Sequence, residues 1–324
     1  MNKSKGSIMA VLSLIVMLSL LLLVGVSAAA EKFPSREIIL VVLNAPGGTT
    51  DLSTRVLTEY LKKELGVPII VENRTEAGGV KGIVDVYKAK PDGYTLLVNL
   101  LPRNVQMEIV LTAPYKILDF VYLPAFMKEY QYVSVLKDSP YKSVKDLVEA
   151  SKRKSLNCSI PGFGTLGHLN AIFLKKRLGV NLEVVPFPEG GFPAMMALLG
   201  GHVDMTTAVG IPLVQNKEKV RVLATFSEDR AREFPDAPTF KELGYDVPSG
   251  CAYWGILGPP RLPEEIRKTL SDALVKTIKN PESMSKIEKM GPTPISMSGP
   301  EFRTLAESFY KIMEEYKDLL MQKK

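Results

Sequence analysis

The feature that most constrains this chain is a repeated alternation of short β-branched apolar runs with amphipathic stretches. Residues 36–43, Arg-Glu-Ile-Ile-Leu-Val-Val-Leu, read as a strand covered on both faces, because consecutive apolar side chains point to opposite sides of a sheet. From Asp51 the apolar positions Leu52, Val56, Leu57, Tyr60, Leu61 and Leu65 recur at helical spacing, and Gly66 supplies the stop. Residues 68–72 predict the next strand and 80–89 the next helix, and Pro91-Asp92-Gly93 turns into a strand over 94–98. Strand, helix, strand, helix, strand implies a parallel sheet.

After a less regular stretch at 100–119 the rhythm resumes. Ser143 with Asp146 three residues on predicts a capped helix. Residues 155–160, 182–187, 203–207 and 220–226 read as strands, with helices at 168–178 and 192–199. Residues 251–258 form a further apolar strand that buries Trp254 and ends at Pro259-Pro260. Beyond it the pattern is helical: Pro263 in a first turn, a break at Asn280-Pro281, and a last helix after Ser298 with Glu301 as capping partner. The expectation is an α/β fold of two lobes, each a mainly parallel sheet flanked by helices. Residues 31–126 and 252–324 would form the first lobe and 127–251 the second, with hinge crossings near Phe126–Tyr132 and Ser249–Trp254.

The first thirty residues stand apart from this pattern. Lys3 and Lys5, an apolar run over 8–26, and Ser27-Ala28-Ala29-Ala30 follow the order of a secretory signal peptide, with cleavage expected after Ala30. About 20 apolar residues can also span a bilayer, so an uncleaved N-terminal anchor is the alternative. Either way the protein is expected to be periplasmic or otherwise extracytoplasmic. Lys and Arg number 41 against 35 Asp and Glu, a net +6, but no dense basic block interleaves with aromatics, which argues against a nucleic-acid partner. With two Cys and two His in the chain, neither a disulfide scaffold nor a metal centre is expected, and no cofactor. Cys158 and Cys251 each fall in a segment read as a strand and read as buried thiols, or as a bridge in an oxidising compartment.

Two Gly-rich loops join a strand to a helix and are the candidate site. In Asn44-Ala45-Pro46-Gly47-Gly48-Thr49-Thr50-Asp51 small residues let a ligand approach the backbone, and the N–H groups of the following helix favour an anion. The alternative is a plain turn in which Thr50 or Asp51 caps the helix. The second loop, Pro161-Gly162-Phe163-Gly164-Thr165-Leu166-Gly167-His168, spells a dinucleotide fingerprint, but Glu183 falls near the start of its strand, not at the end where a ribose carboxylate is needed. Anion binding at that helix start is the better reading. His168 reads as a structural hydrogen-bonding group, since no Ser or Cys nucleophile pairs with it, and no catalytic residue is assigned. Asp51 and Arg55 are spaced for an ion pair along one helix. Arg103, beyond a strand end, either reaches a carboxylate or is a solvated loop residue. His202 reads as a turn residue.

The spelling then becomes specific. Phe33-Pro34-Ser35-Arg36, Ala45-Pro46-Gly47-Gly48-Thr49-Thr50-Asp51, Val71-Glu72-Asn73-Arg74 with Ala77-Gly78-Gly79, and Ala89-Lys90-Pro91-Asp92-Gly93-Tyr94 resemble the tripartite tricarboxylate transporter substrate-binding proteins, the Bug receptors. So do Gly164-Thr165-Leu166-Gly167-His168-Leu169, Val185-Pro186-Phe187-Pro188-Glu189-Gly190-Gly191, Leu199-Gly200-Gly201-His202-Val203-Asp204 and Ala237-Pro238-Thr239-Phe240. The resemblance implies a two-lobed solute-binding receptor, a monomer and not an enzyme, that clamps a small carboxylate and hands it to large and small membrane subunits. It implies a carboxylate held largely through backbone N–H groups and ordered water at the loops Ala45-Pro46-Gly47-Gly48-Thr49 and Gly162-Phe163-Gly164-Thr165, with His168 and Asp204 at the family's usual His and Asp. Asn44 stands where the family commonly has an aromatic residue, and Glu189 where a Lys is usual. Both departures point from citrate-like anions toward a monocarboxylate, or a ligand with an amine or amide. Rival readings are a ligand-presenting sensor of the same fold, an exported enzyme using His168, and a nucleotide-binding oxidoreductase.

Overall fold

Two mixed β-sheets, each flanked by helices, order the chain. The structure is a computed structural model that describes residues 32–187, 190–207 and 210–321. The stretch read as an export signal, its cleavage point, and Glu189 lie outside the described residues.

Ile38–Val42 (β1), Thr49–Leu65 (α1), Ile69–Asn73 (β2), Val80–Tyr87 (α2) and Thr95–Leu101 (β3) are the alternation read from sequence. β1 pairs in parallel with β2 and β3, and Ile38, Leu40, Val41 and Val42 are buried, as a strand with both faces covered must be. α1 stops where the left-handed backbone of Gly66 (φ 72°) turns its N–H onto the Lys62 carbonyl.

Arg103–Leu111 (α3) occupies part of the stretch that reads as irregular. Its buried face mixes Asn104 and Glu108 with Val105 and Ile109, so polar residues interrupt the spacing that would reveal it. Glu108 is accommodated there because Ile117 N–H and Lys116 donate to its carboxylate at 2.7 and 3.1 Å.

Val121–Glu129 (β4) leads into Tyr132–Leu136 (β5), the first strand of the second sheet. Val144–Ser151 (α4), Leu156–Ile160 (β6), Leu166–Leu178 (α5), Leu182–Pro186 (β7), Gly191–Leu199 (α6), Met205–Thr206 (β8), Ile211–Gln215 (α7) and Val220–Thr225 (β9) come next. Ala252–Gly258 (β10) returns to the first sheet, then Glu264–Lys279 (α8), Pro281–Glu288 (α9), Thr293–Met297 (β11), Gly299–Glu315 (α10) and Lys317–Met321 (α11). The strand orders are β11-β4-β10-β3-β1-β2 and β7-β6-β8-β5-β9. The main chain thus passes between the sheets twice, from β4 to β5 and from β9 to β10.

Two features differ from the sequence expectation. The sheets are mixed, not mainly parallel: β10 is antiparallel to β3 and β4, and β5 to β8 and β9. β4 runs toward the second sheet and β10 away from it, so the two crossing strands must oppose each other. The C-terminal segment is also not wholly helical, because β11 pairs with β4 as an edge strand. Pro294 within it is tolerated at an edge, where one side of the strand donates to nothing.

From Arg36 on, contacts join both sheets into one unit. One apolar core runs from Val41 and Leu97 through Tyr253 and Phe309 to Cys158 and Leu223. Cys158 and Cys251 are buried and free, and burial pushes each thiol up to about 12, so both stay protonated and unreactive. Trp254 is buried in β10 and donates from Nε1 to Thr50 Oγ at 2.8 Å, tying the start of α1 to the central strand.

Candidate functional site

β1, β3 and β6 each lead at their C-terminal ends into a loop that opens a helix, the edge of an α/β sheet where ligands bind. After β1, residues 45–48 are exposed. Gly48 occupies the cap position of α1 with extended backbone and no side-chain cap. Neither Thr50 nor Asp51 caps the helix, so its first-turn N–H groups lack intrahelical acceptors.

Asp51 instead props the loop from behind. Its buried carboxylate accepts from Gly47 N–H at 2.9 Å, from Asn73 Nδ2 at 2.9 Å and from Arg55 Nε at 3.0 Å. Burial alone would raise its pKa, but Arg55, Gly47 N–H and Asn73 together hold it below the ordinary value. The Asp51–Arg55 pair is therefore an anchor with a buried acid, not a pair lying along the surface. Asn73 also donates to the Asn44 carbonyl at 2.9 Å. No local pattern singles out Asn73, and its role comes from the pairing of β2 with β1.

The second loop is held differently. Thr165 caps α5, accepting from His168 N–H at 3.3 Å and donating to the Gly162 carbonyl at 2.7 Å. Gly162 (φ 120°) and Gly164 (φ 69°) take backbone conformations that favour glycine. Gly167 is needed for a second reason: a Cβ there would meet Pro161 Cδ at 2.6 Å. His168 is buried, and its Nδ1 accepts the Gly164 N–H at 3.1 Å. Burial, aided by Lys175, pulls its pKa down to about 4, so the ring is neutral with its proton on Nε2. It is a fixed acceptor for the loop backbone, as the sequence suggested.

α3 brings the first sheet to this loop. Gln106 Nε2 donates to the Gly164 carbonyl. Arg103, at the start of α3, donates from Nη2 to the Gly78 carbonyl at 2.8 Å, while Nη1 is buried without a partner. Burial holds its guanidinium below the ordinary pKa, with Tyr115 acting the other way. Arg103 is thus a helix residue short of a partner, not a solvated loop residue. Neither Gln106 nor this unmet donor could be read from sequence, because both depend on which loop faces α3.

Two cavities meet at Arg103, Gln106 and Gly164. One, of about 480 Å³, adds Gly78, Met107, Val110, Leu111 and Phe163. The other, about 190 Å³, adds Pro102, Thr165, Leu166 and Ala252. Phe163, Gly164 and Thr165 are therefore brought together with α3, whereas Asn44, Ala45, Pro46, Gly47, Gly48 and Thr49 line neither cavity. The turn at Glu76–Gly79, which supplies Gly78 to the larger cavity, packs against the residue that follows β1: a Cβ on Gly79 would meet Leu43 Cβ at 2.9 Å.

Asp204 is set apart from both loops. It precedes β8, which runs parallel to β6, so it lies at the far end of the sheet from the Gly162–Thr165 loop. There it accepts from Lys154 Nζ at 2.7 Å and Asn157 N–H at 2.9 Å, bonds that secure the strand start. His202 is exposed beyond α6. Among the described residues no group of three or more His, Cys, Asp or Glu could hold a metal ion, and no helix is long and apolar enough to cross a membrane.

Two mixed sheets joined by two crossings, with the starts of α3 and α5 meeting at a shared cavity, give the chain the fold of the solved solute-binding receptors. The model of the tripartite tricarboxylate transporter family receptor matches residues 53–314, and the chain belongs to that family. A UPF0065 protein from the gbd 5′ region of Cupriavidus necator is 33% identical over 291 residues, covering 88% of this chain and 87% of its own. BugT of Bordetella pertussis is 29% identical over 280 residues, covering 84% and 86%. A ligand-free TctC solute-binding protein from Polaromonas superposes with a TM-score of 0.82 at 26% identity, covering 89% of this chain and 99% of its own. MatC from Rhodopseudomonas palustris with bound malate gives 0.65 at 27% identity, covering 89% and 100%. A further R. palustris protein with adipate gives 0.69 at 25% identity, covering 89% and 98%.

Proposed function

We propose that the protein is an extracytoplasmic receptor that captures a small carboxylate between two lobes and delivers it to the large and small membrane subunits of a tripartite tricarboxylate-type transporter. It acts without catalysing a reaction on its ligand, as a monomer exported to the periplasm with its signal removed after Ala30. The first lobe is residues 31–126 and 252–324, and the second 127–251. The observation that carries the reading is the meeting of α3 with the capped, glycine-bearing loop Gly162–Thr165 around one cavity, in a chain of the receptor family.

Backbone N–H groups at the starts of α1 and α5 favour a bound anion through the partial positive charge of each helix end. Binding that is stronger in the closed form shifts the open–closed equilibrium, and the closed form is what the membrane partner accepts. Asn44 in place of an aromatic wall favours a ligand with one carboxylate, or one carrying an amine or amide.

Thermal unfolding of residues 31–324, refolded to strip carried-over ligand, against mono-, di- and tricarboxylates, amino acids and NAD tests this. A ligand at a hundred times its Kd adds about 2.7 kcal/mol and raises Tm by several degrees. One class of acid is expected to raise Tm and NAD is not; a response to NAD alone would refute the receptor reading. Gly48→Leu is expected to abolish binding while leaving the fold intact, because the nearest atom to a Cβ there is the Ala45 carbonyl oxygen at 3.6 Å. A bulky residue at Thr165 is expected to abolish it too.

A further inference from the structure

The cavity beside α3 carries more information than its size. We infer that Arg103 is the counter-ion for one ligand carboxylate, and that the cavity selects an anion with a single carboxylate and an apolar body. This deepens the receptor reading above and rests on it.

A guanidinium is always charged, and burying one without an anionic partner is costly. Arg103 nevertheless has Nη1 buried and unmet, while Nη2 is committed to the Gly78 carbonyl. Arg103 also lines the cavity, so a carboxylate seated there supplies the counter-charge the guanidinium lacks. The position is also beside Gly164, on the loop that opens α5.

The remaining cavity walls set the character of the ligand beyond its carboxylate. Among the described residues that line the cavity, Arg103 is the one charged side chain, and Met107, Val110, Leu111 and Phe163 form apolar walls. Leu111 is 60% exposed and Met321, at the same cavity, 49%. These are apolar surfaces that a ligand body would cover. About 480 Å³ is within the range of small-molecule sites. A second carboxylate at the far end of the ligand would lose its water among these side chains, with no second charged side chain among the described lining residues to replace it. Each added charge therefore weakens binding, which reverses the preference expected of a tricarboxylate receptor.

Isothermal titration calorimetry with hexanoate, benzoate, adipate and citrate reads this directly, since hexanoate and adipate share a chain length and differ by one carboxylate. Hexanoate or benzoate is expected to bind at least tenfold more tightly than adipate, and citrate least. Arg103→Gln is expected to weaken the preferred acid on the order of thirtyfold or more, as when one member of a buried charge pair is removed, while Arg103→Lys retains part of the affinity. Leu111→Glu, at an exposed position that leaves the core untouched, is expected to weaken it at least tenfold; circular dichroism checks that each variant is folded. If Arg103→Gln does not fold, Leu111→Glu and the order of the four acids decide. Adipate or citrate binding as tightly as hexanoate, or wild-type affinity in a folded Arg103→Gln variant, overturns the inference. If in those cases Gly48→Leu still abolishes binding, the receptor reading survives without it. If none of the four acids binds the wild-type protein, the inference falls and the receptor reading rests on the wider ligand panel.

Discussion

His168 shows how little a residue's identity says about its role until its partners are known. A histidine beside a Gly-rich loop invites assignment as a base, yet Nδ1 is occupied by the Gly164 N–H and the ring stays neutral down to about pH 4. The unfolded chain takes up that proton near a pKa of about 6.5. The contribution of His168 to stability is therefore complete above about pH 6.5 and is lost as the pH falls toward the folded value. His168→Asn, which can place an acceptor near the Nδ1 position, is expected to remove this acid-side loss in urea melts taken between pH 4 and 7. His168→Leu leaves the Gly164 N–H unmet and is expected to cost about 1–3 kcal/mol. An unchanged acid limb in His168→Asn would contradict the assignment. The structural role of His168 was legible from the absence of a partner nucleophile. That of Asp51 was not, since its three partners include Asn73, which β-sheet pairing alone brings within reach.

Elements with local signals were legible, and those defined by distant partners were not. Ser143 with Asp146 and Ser298 with Glu301 form the capping boxes their spacing predicted, because a cap is made within four residues. α3 lacks such a cap and hides its apolar face behind Asn104 and Glu108. β11 is five residues with a proline, a strand only because β4 offers it an edge. The caps also separate stability from binding. Ser143→Ala and Thr165→Val each remove a helix cap and are expected to cost about 1 kcal/mol in denaturant unfolding. Only Thr165→Val, which frees the Gly162 carbonyl as well, is expected to weaken ligand binding. Equal affinity in the two variants would separate the second loop from the site.

At the scale of the whole molecule, the crossing between the sheets carries its own charges. Lys128 on β4 donates to Asp229 beyond β9 at 2.6 Å, and Tyr130 donates to the same carboxylate at 2.7 Å. Burial raises the Asp229 pKa, but these two bonds outweigh it and hold the acid below its ordinary value. Glu129, at the end of β4, has no such help. It lines a cavity of about 460 Å³ with Tyr130, Tyr132, Gly210, Glu233 and Thr293, and burial pushes it up to about 7. The folded state thus holds a proton that the unfolded chain releases near a pKa of about 4.3, so stability falls as pH rises from there to about 7, by on the order of 2–3 kcal/mol. Glu129→Gln is expected to abolish that decline, leaving stability to rise with pH through the His168 interval. A decline that persists in the variant would assign it to another group.

The sequence by itself determined what is made within a few residues: the alternation of strand and helix, the glycine-bearing turns, the capping boxes and the burial of Trp254. Hydrogen bonds and apolar periodicity at that range need no knowledge of the rest of the chain. Only the tertiary structure decided that Asp204 lies at the opposite end of its sheet from the loops. It alone decided that Asp51 props Gly47, and that Arg103 faces a cavity with one nitrogen unmet. Those outcomes depend on which strand ends adjoin across two separate sheets, and on what each buried charge finds there, which no local pattern encodes.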